Sequence, residues 1–146
     1  MNCGSECKTK ALFTIGYQGR SGEELVMVLK QHGVQKVIDV RANPFSHTQE
    51  FCGPALKQCL EQAGLAYTHA PELGNPFRGV DDNVWREKYT QHLTDHPELV
   101  EKALVRMGDR TCCLLCMEAD FAQCHRTLAA EAIQRVWGNG LEIVHF

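Results

Sequence analysis

The sequence predicts an α/β fold: a three-layer, Rossmann-like arrangement of about five mostly parallel strands with helices on both faces. Short apolar runs alternate with amphipathic stretches along the chain after a polar start. The runs are apolar at consecutive positions, as expected for strands buried on both faces of a parallel sheet. The stretches between them carry helix start and stop signals.

Taken in order, ALFTIG (Ala11–Gly16) reads as a buried strand. SGEELVMVLKQHG follows as a helix, with Ser21 as N-cap, Glu23 and Glu24 in the first turn and Gly33 as the stop. Leu25, Val28 and Leu29 form its inward stripe. KVIDV (Lys36–Val40) is the second strand, and PALKQCLEQAG the second helix, opened by Pro54 and closed by Gly64. LAYTHA is a weaker third strand. PELGNPFRGVDD is irregular, and two helices divided at Pro97 come after it. RTCCLLCM is the clearest strand, DFAQCHRTLAAEAIQRVWG the clearest helix, and LEIVHF the closing strand. By analogy with doubly wound folds the strand order is expected to be 3-2-1-4-5.

The 146 residues suit one domain over 11–146 after a flexible tail at 1–10. A formal charge of -3 disfavours broad nucleic-acid binding. No apolar run reaches the roughly 18 residues of a membrane span. The polar N-terminus lacks the apolar centre of a signal peptide, so the chain is expected in the cytoplasm. The eight cysteines then read as reduced thiols rather than a disulfide framework. Burial is the default for Cys59, Cys112 and Cys113, and Cys3 and Cys7 fall in the tail.

In open parallel sheets, ligands bind outside the carboxyl ends of the strands. Gly16, Tyr17 and Arg20 follow the first strand; Asp39, Arg41 and Asn43 the second; His69, Glu72, Gly74 and Asn75 the third; Cys116, Glu118 and Asp120 the fourth. Asp120 is suited to cap the last helix. On a wheel of roughly 100° per residue, His125 then falls on the apolar face, one turn in, between Cys124 and Arg126. There it fixes the turn through a backbone carbonyl or acts as acid or base. Arg41 and Arg126 read either as ion-pair partners of Asp39 and Glu118 or as a clamp for a planar anion. Cys116 and Cys124 have three readings: inert buried thiols, a nucleophile at Cys116, or zinc ligands with His125 and His69. Their spacing matches no standard zinc pattern, so no metal or cofactor is assigned. Nucleotide-hydrolase, dinucleotide and serine-hydrolase motifs are missing.

Five stretches resemble those of an uncharacterised family, domain-of-unknown-function family 488: TIGYQG, VIDVRANPFS, LAYTHAPELG, LLCMEADFAQCHR and the terminal IVHF. The Cys-x-Glu followed by Cys-His-Arg is the most specific. The resemblance implies a compact α/β domain with a cleft made from these motifs, and supplies no reaction. By position it picks out Gly16, Asp39, Arg41, Pro44, Ser46, Glu72, Gly74, Cys116, Glu118, Cys124, His125 and Arg126. Two departures stand out: His47 where the family has a basic residue such as arginine, and Asn75 where it has a second glycine.

The leading reading is an enzyme that hydrolyses or transfers a group on a small anionic or nucleotide-like substrate. His125, Glu118, Asp39 and Cys116 would carry the chemistry. Gly16, Tyr17, Arg41, Ser46, His69, Glu72, Gly74, Asn75, Cys124 and Arg126 would form the binding site. The alternatives are a non-catalytic nucleotide or single-stranded nucleic-acid binding module, and a Cys/His metal or thiol redox site.

Overall fold

The structure is a computed structural model that describes residues 10–146. Cys3 and Cys7 lie outside the described residues. Five strands form one all-parallel sheet: β1 (Lys10–Gly16), β2 (Lys36–Asp39), β3 (Ala66–His69), β4 (Cys112–Cys116) and β5 (Leu141–His145). Five helices connect them: α1 (Gly22–Gln31), α2 (Gly53–Gln62), α3 (Asp82–Asp95), α4 (Pro97–Met107) and α5 (His125–Trp137).

The sheet order is β3-β2-β4-β1-β5, which corrects the expected 3-2-1-4-5 by exchanging β1 and β4. β4 is inserted between β2 and β1, with Gly16 level with Cys116 and Asp39 level with Leu115. Apart from Thr14 of β1, both strands are apolar over their buried length, so the exchange leaves the local patterns unchanged. Lys10, expected in the tail, starts β1: it is level with Leu141, and its N–H donates to the Gly140 carbonyl at 2.6 Å.

Each face of the sheet has its own core. Phe13, Ile15, Val37, Cys113 and Leu115 pack under Leu25 and Leu29 of α1 and Leu56 and Leu60 of α2. Leu12, Ile38, Leu114 and Cys116 pack under Tyr89, Val100, Ala129 and Ile133 of α3, α4 and α5. Residues i and i+1 of a strand thus serve opposite cores, which is why the runs are continuously apolar. Ser21 caps α1 as expected: its Oγ accepts from the Glu24 N–H while Glu24 returns to the Ser21 N–H, a capping box. Among the described residues, no helix is long and apolar enough to cross a membrane.

One boundary is corrected. Asp120 does not cap the last long helix. It caps a single 3₁₀ turn, Phe121–Gln123, accepting from the Ala122 N–H at 2.9 Å. α5 then starts at His125 with Cys124 at its N-cap. His125 is therefore the first helical residue, not one turn in. Phe121 stacks on the His145 ring at 4.2 Å and is 42% exposed.

Candidate active site

β1 leads to α1 on one face, and its neighbour β4 leads to α5 on the other. Where adjacent connections part in this way, a crevice opens beyond the carboxyl ends of the strands. A cleft of about 580 Å³ lies there. Tyr17 reaches it from the end of β1, and Arg41 and Asn43 from the loop after β2. Asn75 and Arg78 come from the segment between β3 and α3, Cys116 and Glu118 from the end of β4, and His125 from the start of α5. A smaller neighbouring hollow, which includes Ser46 and His47, shares Tyr17, Asn43 and Arg78 with it.

Asp39 and Arg41 form the buried base of one wall. The Asp39 carboxylate accepts from Arg41 Nε at 2.8 Å and Nη2 at 2.6 Å, and also from the Tyr67 hydroxyl at 2.6 Å. Arg41 Nη1 donates to the Phe51 carbonyl at 2.8 Å and to the Tyr17 hydroxyl at 3.3 Å. Four of the five guanidinium N–H groups are therefore directed at protein acceptors. Burial opposes the Arg41 charge, but the hydrogen bonds to Asp39 outweigh it and raise its pKa. Burial and then Asp39 raise the Tyr67 hydroxyl. Of the two readings of Arg41, the geometry gives it the ion pair; Asp39 lies behind Arg41 rather than on the cleft surface.

The opposite wall is the segment that joins β4 to α5. Its shape depends on Gly16. A Cβ there would lie 1.7 Å from the Glu118 carbonyl oxygen, so only glycine allows this approach. The Tyr17 and Gln18 N–H groups donate to the carbonyls of Cys116 and Met117 at 3.2 and 3.0 Å. Arg126 holds the segment from below: it is 0% exposed, its Nη1 donates to the Glu118 carbonyl at 2.6 Å and its Nε to Thr14 Oγ1 at 3.2 Å. Arg126 thus neither pairs with the Glu118 carboxylate nor lines the cleft.

His125 Nε2 lies 2.9 Å from the Val40 carbonyl. A carbonyl only accepts, so Nε2 carries a proton, and in the neutral ring the lone pair is then on Nδ1. Nδ1 is 3.9 Å from Cys116 Sγ, which is itself 3.5 Å from Glu118 Oε1. The Tyr89 ring meets the His125 ring edge-on at 5.4 Å. Cys116, Cys124 and His125 place their ligand atoms within 4.8 Å of one another. The two buried thiols share their protons unequally. The hydrogen bond with Cys124, then burial, raises Cys116. The Cys116 thiol, aided by His125, lowers Cys124.

Other expected site residues fall elsewhere. Glu72 pairs with Arg106 of α4, Oε2 to Nε at 2.6 Å, and does not line the cleft. His69 donates from Nε2 to the Arg41 carbonyl at 2.7 Å and is not part of the Cys116–Cys124–His125 group. Gly74 packs on Ala42, where a Cβ would meet its Cα at 2.6 Å. Its place is structural, holding the 71–78 segment against the loop after β2. Arg78, Asp81 and Gln123 line the cleft without having been singled out in the sequence. The dense Pro and Gly of PELGNPFRG marked that segment as irregular but not which side chains face inward.

The model of the family described as Domain of unknown function DUF488 matches residues 21–133. This chain belongs to that family. The match contains the motifs around Asp39, Glu72 and Cys116–Arg126 and leaves out TIGYQG and IVHF. Two solved structures similar to this DUF488 protein are both described as "Putative phosphatase (DUF442)" from Shewanella putrefaciens CN-32. One is 19% identical at a TM-score of 0.45, covering 81% of this chain and 64% of that one. The other is 16% identical at 0.45, covering 94% and 84%. The chain thus spans less than two thirds of the first. Among curated proteins, none matches the DUF488 chain.

Proposed function

We propose that this DUF488 protein is an enzyme that hydrolyses or transfers a group on a small anionic or nucleotide-like substrate held in the cleft. The observation that carries the reading is the convergence of Cys116, Glu118 and His125 on one cleft surface. A thiol, a carboxylate and an imidazole with a free lone pair are the groups that move protons and activate nucleophiles near neutral pH. The cleft volume of about 580 Å³ suits a small molecule, for which sites of about 300–1,000 Å³ are usual.

Each residue has a place in that reading. His125 presents Nδ1 at the cleft surface, with the Val40 carbonyl fixing its tautomer. Glu118, half-buried, takes a proton from the attacking group and returns it to the leaving group. Arg78, exposed on the wall, supplies positive charge for an anion. Asn75, whose Oδ1 accepts from the Phe77 N–H, keeps its amide donors for a base or sugar edge. Arg41 positions Tyr17 and the loop rather than clamping the anion. The formal charge of -3 weighs against a nucleic-acid module.

The test is a thermal-shift screen of nucleotides and sugar phosphates, followed by turnover assays on the hits. Glu118→Gln and His125→Gln, with folding checked by circular dichroism, are each expected to slow turnover by about 100-fold or more. Full turnover in both folded variants refutes the catalytic roles of Glu118 and His125.

A further inference from the structure

We infer that Cys116, Cys124 and His125 bind one zinc ion, with its open side toward the cleft. The ion's role in catalysis rests on the proposed enzyme function; its binding does not.

The geometry suits a single ion. The three ligand atoms lie within 4.8 Å of one another. Around tetrahedral zinc, ligand atoms are separated by about 3.6–3.8 Å, which follows from bonds of about 2.3 Å to sulfur and 2.0–2.1 Å to nitrogen. The 3.9 Å between Cys116 Sγ and His125 Nδ1 is already close to that separation. The imidazole is oriented as a ligand should be. Its Nε2–H is held by the Val40 carbonyl, the outer contact that fixes a metal-binding histidine, and Nδ1 is left for the ion. Cys124 sits at the N-cap of α5 without using its side chain as a cap, where the helix terminus favours a thiolate. Thiolate and imidazole together select zinc over magnesium or calcium.

The other buried thiols contrast with these. Cys112 and Cys113 point their Sγ atoms at backbone carbonyls, of Met107 and Leu114 respectively, and lie in the sheet cores. The sequence allowed a zinc reading of these three residues with His69, but the Cys116–Cys124 spacing matches no standard pattern and His69 is not part of the group. The 3₁₀ turn at Phe121–Gln123 folds the connecting loop back so that the two thiols meet.

Three protein ligands leave one position free, the pattern of a catalytic rather than a structural zinc. Cys116 and His125 line the cleft while Cys124 lies behind them, so the free position opens toward substrate. Glu118 Oε1, 3.5 Å from Cys116 Sγ, stands beside it. Water at that position would pass a proton to Glu118 as its oxygen bonds to the electrophilic atom of the substrate. The leaving group then departs with the bonding pair and takes the proton from Glu118.

The test uses the full chain purified without chelator. Zinc is measured by elemental analysis, then removed, and cobalt(II) is titrated in while absorption is recorded. About one zinc per chain is expected, with thiolate-to-cobalt charge-transfer bands and the visible bands of a tetrahedral ion. Cys124→Ser and His125→Gln should each weaken binding by about 100-fold or more. The Cys3→Ser, Cys7→Ser double variant and Cys59→Ser should bind as the wild type does. Wild-type protein with neither stoichiometric zinc nor tetrahedral cobalt bands overturns the site. So does binding that survives the Cys116→Ser, Cys124→Ser double variant. The cobalt spectrum is read on unaltered protein, so a variant that fails to fold cannot hide the answer. The two failures are distinct. A metal-free chain that turns over substrate loses the ion and keeps the enzyme; a zinc-bound chain that turns over none of the screened substrates loses the enzyme and keeps the ion.

Discussion

Replacing Asp39 by asparagine should destabilise the protein far more than a surface charge change would. The Asp39 side chain is 0% exposed and that of Arg41 is 6% exposed, so their pair is held out of water. Four donors converge on the carboxylate: Arg41 Nε, Nη2 and backbone N–H, and the Tyr67 hydroxyl. An asparagine amide removes the charge and turns one acceptor oxygen into a donor facing donors. Arg41 would be left buried and uncompensated, which costs about 3–5 kcal/mol, against a total stability of about 5–15 kcal/mol for a typical protein. With a urea slope of about 2 kcal/mol per molar, the unfolding midpoint should fall by about 1.5–2.5 M. Arg41→Met combined with Asp39→Asn should cost less than the sum of the single changes, because neither then leaves a lone charge. Urea unfolding followed by circular dichroism reads all four proteins of the cycle. An Asp39→Asn protein within about 0.5 kcal/mol of wild type, the range of unremarkable surface changes, refutes the structural assignment and returns Arg41 to the candidates for anion binding.

Further outcomes follow from the same contacts. Gly16→Ala places a Cβ 1.7 Å from the Glu118 carbonyl oxygen, where only backbone can yield; a loss of about 3 kcal/mol or more is expected in urea unfolding, and an unchanged midpoint contradicts the close approach. Arg126→Lys gives up the paired contacts to Thr14 and the Glu118 carbonyl, and a loss of about 1.5–3 kcal/mol should appear in thermal unfolding. Burial raises the Glu72 carboxyl, but the hydrogen bonds and charge of Arg106 outweigh it and leave it below its ordinary 4.5. The folded-state value is the lower one, so this contribution is full above pH 4.5 and is lost as pH falls through the depressed value. Arg106→Met should flatten that part of the acid-unfolding curve, and an identical curve removes the pair from the account of acid stability.

Much of the architecture was legible because it is written in local periods. Strands such as Leu12–Ile15 and Cys112–Cys116 must satisfy two cores at once, so their apolar runs, broken only at Thr14, announce a sheet covered on both faces. Ser21, Pro54 and Pro97 announce helix starts through backbone chemistry within a few residues. The order of β1 and β4 was not legible, since pairing partners are chosen by long-range packing and either central place suits either strand. The site divides in the same way. Tyr17, Arg41, Cys116 and Glu118, which line the cleft, were picked by applying the strand-end rule to the predicted strands, and His125 by the apolar face of the last helix. Glu72 fell at a strand end too, yet its carboxylate is taken by Arg106, which lies 34 residues away. Arg78 was missed because an irregular segment has no period from which to read a direction.

The claim that the strand-end cleft is the working site is tested most directly by mapping a bound ligand. The strongest hit of the nucleotide and sugar-phosphate screen should be titrated into isotope-labelled protein and followed by amide chemical shifts. Shifts concentrated at Tyr17, Asn43, Asn75, Arg78 and Glu118 are the expected result. Shifts confined to the outer surface of α2, around Lys57 and Glu61, with the cleft silent, contradict it.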